Sequence, residues 1–224
     1  MAAAFSTKRA AIGAADLIAA AKEVKLDMAE TIAQTVYFEP WGEPNTERTL
    51  QLAKARADQL GIKDILVATT RGEVGRKAAE LFRGCNVVVV THVQGFKQPD
   101  HQELTPENRS AIEAAGGKIL TTTHAFGSIG RAVRFRMNTY QLDEIIAYTL
   151  RNFCEGLKVC AEIAVMAADA GLVRTDKEVV AIAGTNRGAD TSVVLMPAHT
   201  TDFFNLRILE IICKPRMAAR KSNQ

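Results

Sequence analysis

Two rhythms of apolar positions alternate along this chain, and together they predict an α/β fold. Segments 64–69 (DILVAT), 86–91 (NVVVVT) and 179–183 (VVAIA) are short, nearly continuous apolar runs. Such runs suit strands buried on both faces of a parallel sheet. Between them the spacing changes to a helical period. Leu50, Ala53, Ala57 and Leu60 share one face of a helix that Asn45 can cap and Gly61 stops. Val74, Ala78, Leu81 and Phe82 mark a second helix, ended by Gly84, so residues 64–91 read as one right-handed βαβ unit.

The rest of the chain continues the pattern less regularly. Segment 34–38 (QTVYF) has strand composition and ends at a turn with two prolines and a glycine, EPWGEPN. Thr105 followed by Pro106 opens a helix to about residue 115, the glycine pair 116–117 ends it, and 118–122 (KILTT) is a short strand. Residues 123–136 are irregular or partly helical, and 142–153 form a helix. The 156–171 helix is apolar almost all round, interrupted by Lys158, Glu162 and Asp169 on one stripe. That stripe is either a solvated Lys–Glu pair or a carboxylate facing a pocket. The connector between 179–183 and 192–196 is too short for a crossover helix, so those strands are expected to be antiparallel. Segment 208–213 reads as a last edge strand. The predicted fold is a three-layer α/β/α sandwich with a mainly parallel sheet and an antiparallel edge. An alanine-rich helix over 10–30 precedes it, giving an N-terminal extension (1–33), a body (34–216) and a polar tail (217–224).

Composition narrows the functional classes. The 224 residues are 47% hydrophobic and 24% charged with net charge +3, too small a charge to argue for nucleic acid. No apolar run approaches the roughly 20 residues that cross a bilayer. The four cysteines, at 85, 154, 160 and 213, form no CxxC pair and lie in or beside apolar segments, so reduced buried thiols in a cytoplasmic protein are expected. A metal site is not expected.

The candidate chemistry lies in the loops. In an open parallel sheet, ligands bind beyond the carboxyl ends of the strands. Four connectors should emerge there: EPWGEPNT with Asn45; TTRGEVG with Thr69, Thr70, Arg71 and Gly72; THVQGFK with Thr91, His92, Gly95 and Phe96; and GTNRGADT with Gly184, Arg187, Gly188, Asp190 and Thr191. Glycines let the backbone approach a ligand, and hydroxyls, N–H groups and arginines can hold phosphate oxygens. The 65–81 stretch delivers such a turn to a helix N-terminus, which favours an anion. Glu73 would stand beside that phosphate and must point away. The pattern is neither GxGxxG nor GxxxxGK[ST]. His92, His124 and His199 are candidates for acid–base work. Arg131, Arg134 and Arg136, among Phe126, Val133 and Phe135, read as a basic surface or as a lid over a phosphorylated aromatic ligand.

The run ILVATTRGEVGRKAAELFRGCNVVVVT resembles the first βαβ unit of the pyruvate kinase C-terminal α/β domain, and EVVAIAGTNRGADTSVVLMPA resembles that domain's last hairpin. YFEPWGEPNTERTL, GLKVCAEIAVMAADAG, RGADTSVV and PAH are similar to segments of a stand-alone family with this fold. The resemblance covers residues 35–216. It implies a ligand with phosphate at the strand carboxyl ends, flavin mononucleotide (FMN) foremost, in a homo-oligomer. It implies no pyruvate kinase activity, because 224 residues leave no room for a catalytic barrel of about 250. If the chain is an enzyme, a flavin-dependent oxidoreductase is the expected class. The alternative is a non-catalytic sensor or regulatory module for a sugar phosphate or another nucleotide.

Overall fold

The computed structural model describes residues 30–217. The helix expected over 10–30 and the tail beyond Met217 lie outside this range, apart from Glu30. Chain contacts divide after Ala33, and the body below starts at Gln34.

Strand β1 is Val36–Phe38, and helix α1, Thr46–Leu60, follows a short 3-10 turn at Glu43–Asn45. α1 turns Leu50, Ala53 and Ala57 inward and stops at Gly61, which has a left-handed φ of 70°. β2 (Asp64–Ala68), α2 (Glu73–Leu81) and β3 (Asn86–Val90) form the expected βαβ unit, with β2 and β3 parallel. α3 is Pro106–Ala114, and its start is capped by the Thr105 hydroxyl, which accepts from Asn108 N at 3.2 Å. β4 (Lys118–Leu120) then pairs parallel with β3. Three helices follow: α4 (Ile129–Met137), α5 (Leu142–Arg151) and α6 (Glu155–Asp169). β5 (Val179–Ala183), β6 (Thr191–Met196) and β7 (Arg207–Pro215) complete the sheet.

The strand order is β1-β7-β6-β5-β2-β3-β4. Every neighbouring pair is parallel except those of β6, which runs antiparallel to both β5 and β7. The β5–β6 pairing has the direction its short connector demands. β7 differs from the expected edge strand. It lies second from the edge, because the short β1 adds in parallel outside it.

Strand alternation sorts the core into two layers. Ile65, Val67, Val89, Val180 and Ile182 meet α1, α2 and α3 on one face. Leu66, Val88, Ala181 and Val193 meet α6 on the other. Each fully buried Leu, Ile or Phe there contributes about 1.5–3 kcal/mol. α6 is covered in turn by α5, with Ala147 packed near Ala161. It is therefore buried on nearly every side. The thiols of Cys154, Cys160 and Cys213 are buried and free, and burial raises their pKa values, that of Cys213 to about 12. No helix among the described residues is long and apolar enough to cross a membrane.

This topology creates a crevice. From β2 the chain crosses to β3 by α2 on one face, whereas β5 is reached through α6 on the opposite face. The loops leaving β2 and β5 therefore diverge at adjacent carboxyl ends, the switch point where open α/β sheets bind ligands.

Candidate functional site

The turn after β2 is built around Thr69. Its backbone N–H donates to Val90 O at 2.9 Å, and its hydroxyl accepts from Gly72 N at 3.1 Å. Gly72 has φ +108°, and a Cβ there would fall 2.4 Å from Asn108 Cβ, so only glycine fits. α2 then starts with no side-chain cap, which leaves its first N–H groups for another acceptor. By contrast, Thr105 caps α3 and the Cys154 sulfur caps α6. The Arg71 side chain is exposed and has no partner among the described residues. Glu73 is exposed at the same rim.

The loop after β5 is locked to the loop after β1. Gly188 has φ +74°, and a Cβ there would come within 2.4 Å of Glu43 Cα. The Thr46 hydroxyl donates to Glu43 O at 2.7 Å and accepts from Ala189 N at 3.0 Å. Asp190 is fully buried. Its carboxylate accepts from Gly42 N at 2.8 Å, Thr185 N at 3.2 Å and the Thr191 hydroxyl at 2.8 Å. Arg187, at the tip, is exposed and unpartnered among the described residues.

The far end of the cleft is made of side chains. His92 Nδ1 lies 2.6 Å from Glu103 Oε2, and Lys97 Nζ is 2.7 Å from the other oxygen. Burial opposes ionisation of Glu103, but the hydrogen bonds from His92 and Lys97 outweigh it and hold the carboxyl below its usual pKa. The rings of His92, Phe96 and His124 have centroids 4.3 to 5.5 Å apart, and the Arg131 guanidinium lies over Phe96 at 5.0 Å. His124 Nε2 accepts from Val93 N at 3.3 Å, so its ring is neutral. Burial lowers its pKa to about 4, helped by the charges of His92, Lys158 and Arg131 against the pull of Glu162.

Lys158 and Glu162 form an ion pair on α6 with side chains only 7% exposed. Glu162 uses its other oxygen to accept from Phe126 N at 2.9 Å. Burial lowers the Lys158 pKa, against the stabilising charge and hydrogen bond of Glu162. Of the two readings of the α6 stripe, the structure shows the pocket-facing one for Lys158 and Glu162. Asp169 turns elsewhere, toward His199 and Thr200.

A single open cleft of about 1270 Å³ joins these parts. It gathers Thr69, Thr70, Arg71, Thr91, His92, Phe96, Gly184, Arg187 and Gly188 from the residues expected at the site. Five others stand behind its walls. Asn45 does not cap α1; its amide donates to Pro40 O at 2.7 Å and braces the turn. Gly72 and Gly95 shape turns, and Asp190 and Thr191 have their side-chain oxygens engaged inside the fold. The Thr91 hydroxyl is likewise committed, at 2.7 Å from the Thr121 hydroxyl. Of the arginine cluster, Arg131 lines the cleft, whereas Arg134 pairs with Glu144 at 2.6 Å. Phe126 and Phe135 do not line the cleft, so the lid of phenylalanines is not formed. Sequence reasoning missed Glu103 and left Lys158 undecided. An i, i+4 Lys–Glu pair in an all-round apolar helix was the available signal for Lys158.

With this geometry the chain belongs to the family of the pyruvate kinase alpha/beta domain, which it matches over residues 47–195. Among solved structures it overlaps O-ureido-L-serine synthase, at 19% identity over 61% of this chain and 50% of that one, with a TM-score of 0.27. A lysine-to-alanine variant of that synthase with O-ureido-L-serine bound gives 19% identity, 64% and 51% coverage and a TM-score of 0.28. The chain spans about half the length of these structures. Likeness at that level carries no argument about chemistry.

Proposed function

We propose that the cleft binds a phosphorylated small molecule, and that FMN is the ligand its two ends suit best. The observation that carries this reading is the pair of unpartnered arginines, Arg71 and Arg187, on the loops flanking the β2–β5 crevice. A phosphate between them would also meet Thr70 and the uncapped N-terminus of α2. The ring cluster of His92, Phe96 and His124, with Arg131 over Phe96, offers flat faces to a planar ring system. The cleft is larger than the roughly 300–1,000 Å³ typical of ligand pockets, so a mononucleotide has room.

When bound, the flavin supplies electron and hydride transfer. The protein's share is to hold the phosphate, to orient the ring and to keep the neutral His124 against it. The regulatory reading remains the rival: the same binding without turnover.

Titration with FMN, followed by flavin fluorescence, tests the site. We expect micromolar binding, and Arg71→Ala and Arg187→Ala should each weaken it by about tenfold, one lost charge-assisted bond. Riboflavin, lacking the phosphate, should be indifferent to both substitutions. Absence of quenching removes FMN, and unchanged affinity in both variants removes the crevice as the phosphate site. Reduction of the bound flavin with no turnover of any acceptor would favour the regulatory module.

A further inference from the structure

Glu162 holds Phe126 N, but stability alone does not call for the buried charge of Lys158. Burying two charges is costly, and apolar residues of similar volume often serve stability as well or better. Yet the pair lies on the cleft wall. Lys158 Nζ is 5.9 Å from the Phe126 ring centroid, in surroundings that strip it of water. An ammonium so placed gives up its proton more readily than one in solvent. An acceptor for that proton, Glu162, is already hydrogen-bonded to it.

We propose that Lys158 is a nucleophilic amine that captures the carbonyl group of an anionic aldehyde or ketone held in the cleft, forming an imine. The anionic half of that substrate class rests on the phosphate reading given above; the amine does not. The ammonium brings three hydrogens. One passes to Glu162, and the free amine then adds to the carbonyl carbon. The resulting hydroxyl takes the proton back from Glu162 and leaves as water, carrying a second hydrogen from the nitrogen's original three. The third stays on the iminium nitrogen, and no electrons are exchanged. The other charged groups near Lys158 are Glu155 on α6, which raises its proton affinity, and Arg151 on α5, which lowers it. The half-buried His124, after β4, is neutral near pH 7 and does not compete for the proton.

The test is reductive trapping on the full-length protein. Glyceraldehyde 3-phosphate with cyanoborohydride converts any imine into a stable secondary amine, and peptide mass mapping locates it. Lys158 should be modified first at neutral pH, ahead of the exposed Lys63, Lys118 and Lys177, since burial lowers its pKa and raises its share of free amine. Lys158→Arg, which keeps the charge beside Glu162, should abolish this adduct while circular dichroism stays unchanged. Inorganic phosphate should slow the reaction, and unphosphorylated glyceraldehyde should react more slowly. Equal rates with and without the phosphate would support the amine and remove the anion site. Modification confined to exposed lysines in the folded protein, with Lys158 intact, would overturn the proposal.

Discussion

At the β2–β5 crevice, two arginine side chains and the first N–H groups of α2 stand free; at the opposite end of the cleft, nearly every charge already has a partner. The Arg71 and Arg187 side chains have no bond among the described residues. His92 has Glu103, Lys97 shares that carboxylate, and Lys158 has Glu162. In the proposed binding mode, the crevice arginines would gain a partner without giving one up. The far end is preorganised, and a ligand there must replace a bond to gain one. The first arrangement suits binding an anion. The second suits holding protons in fixed places, which is how side chains are tuned for acid–base or nucleophilic work.

Three tests probe that contrast. Asp190→Ala should have the largest effect. It leaves Gly42 N and Thr185 N without their buried acceptor, at about 1–3 kcal/mol each. We expect a fall of about 3–5 kcal/mol in chemical denaturation, with the loss arising at the backbone-built end. A loss under about 1 kcal/mol would mean that the two loops hold together without it.

Next comes the ion pair of the far end. Lys158→Met strands Glu162 in the interior and should cost about 3–5 kcal/mol. The double change Lys158→Met with Glu162→Gln keeps an acceptor for Phe126 N and should return to within about 1–2 kcal/mol of the parent. A double variant as unstable as the single one would show that the pair itself stabilises the fold.

The smallest effect is a pH dependence. Burial pushes the His124 pKa down to about 4 in the fold, against 6.5 for a free imidazole. Between these values the unfolded chain binds the proton and the native chain does not, so the His124 contribution to stability is present above pH 6.5. It declines as pH falls toward about 4 and is flat below. Melting temperatures from pH 7 to 4 should therefore slope less steeply in His124→Gln than in the parent. Parallel slopes would mean that His124 takes up its proton in the folded state as easily as in the unfolded one.

The sheet was legible because its central strands are written almost without polar interruption. DILVA and NVVVV are buried on both faces, and nothing but a parallel strand suits them. The crevice loops were legible for a related reason: glycine, threonine and arginine at strand ends announce turns at the carboxyl edge of the sheet. What failed to show was whatever depended on partners distant in sequence. Asp190 reads as a loop carboxylate, and its clamp to Gly42 joins residues 148 positions apart. Lys158 and Glu162 have the spacing of a solvent-facing pair. They are buried because α5 and the loop carrying Phe126 cover α6, a fact of topology rather than of local pattern. β7 looked like an edge because the strand expected over 34–38 carries no mark of where it pairs, and β1 adds outside β7.

The Asp190 clamp also bears on how a ligand enters. It makes the loops after β1 and β5 one piece, pinned from Gly42 to Thr185. That side of the cleft cannot open without breaking buried bonds. The opposite side is bounded by exposed turns from Gln94 to Asp100, closed by Gly95 N to His101 O at 3.0 Å. In the proposed binding mode, the charged group would meet the jaw pinned by Asp190, and the ring would meet the turn that carries Phe96, itself tied to Glu103 through Lys97.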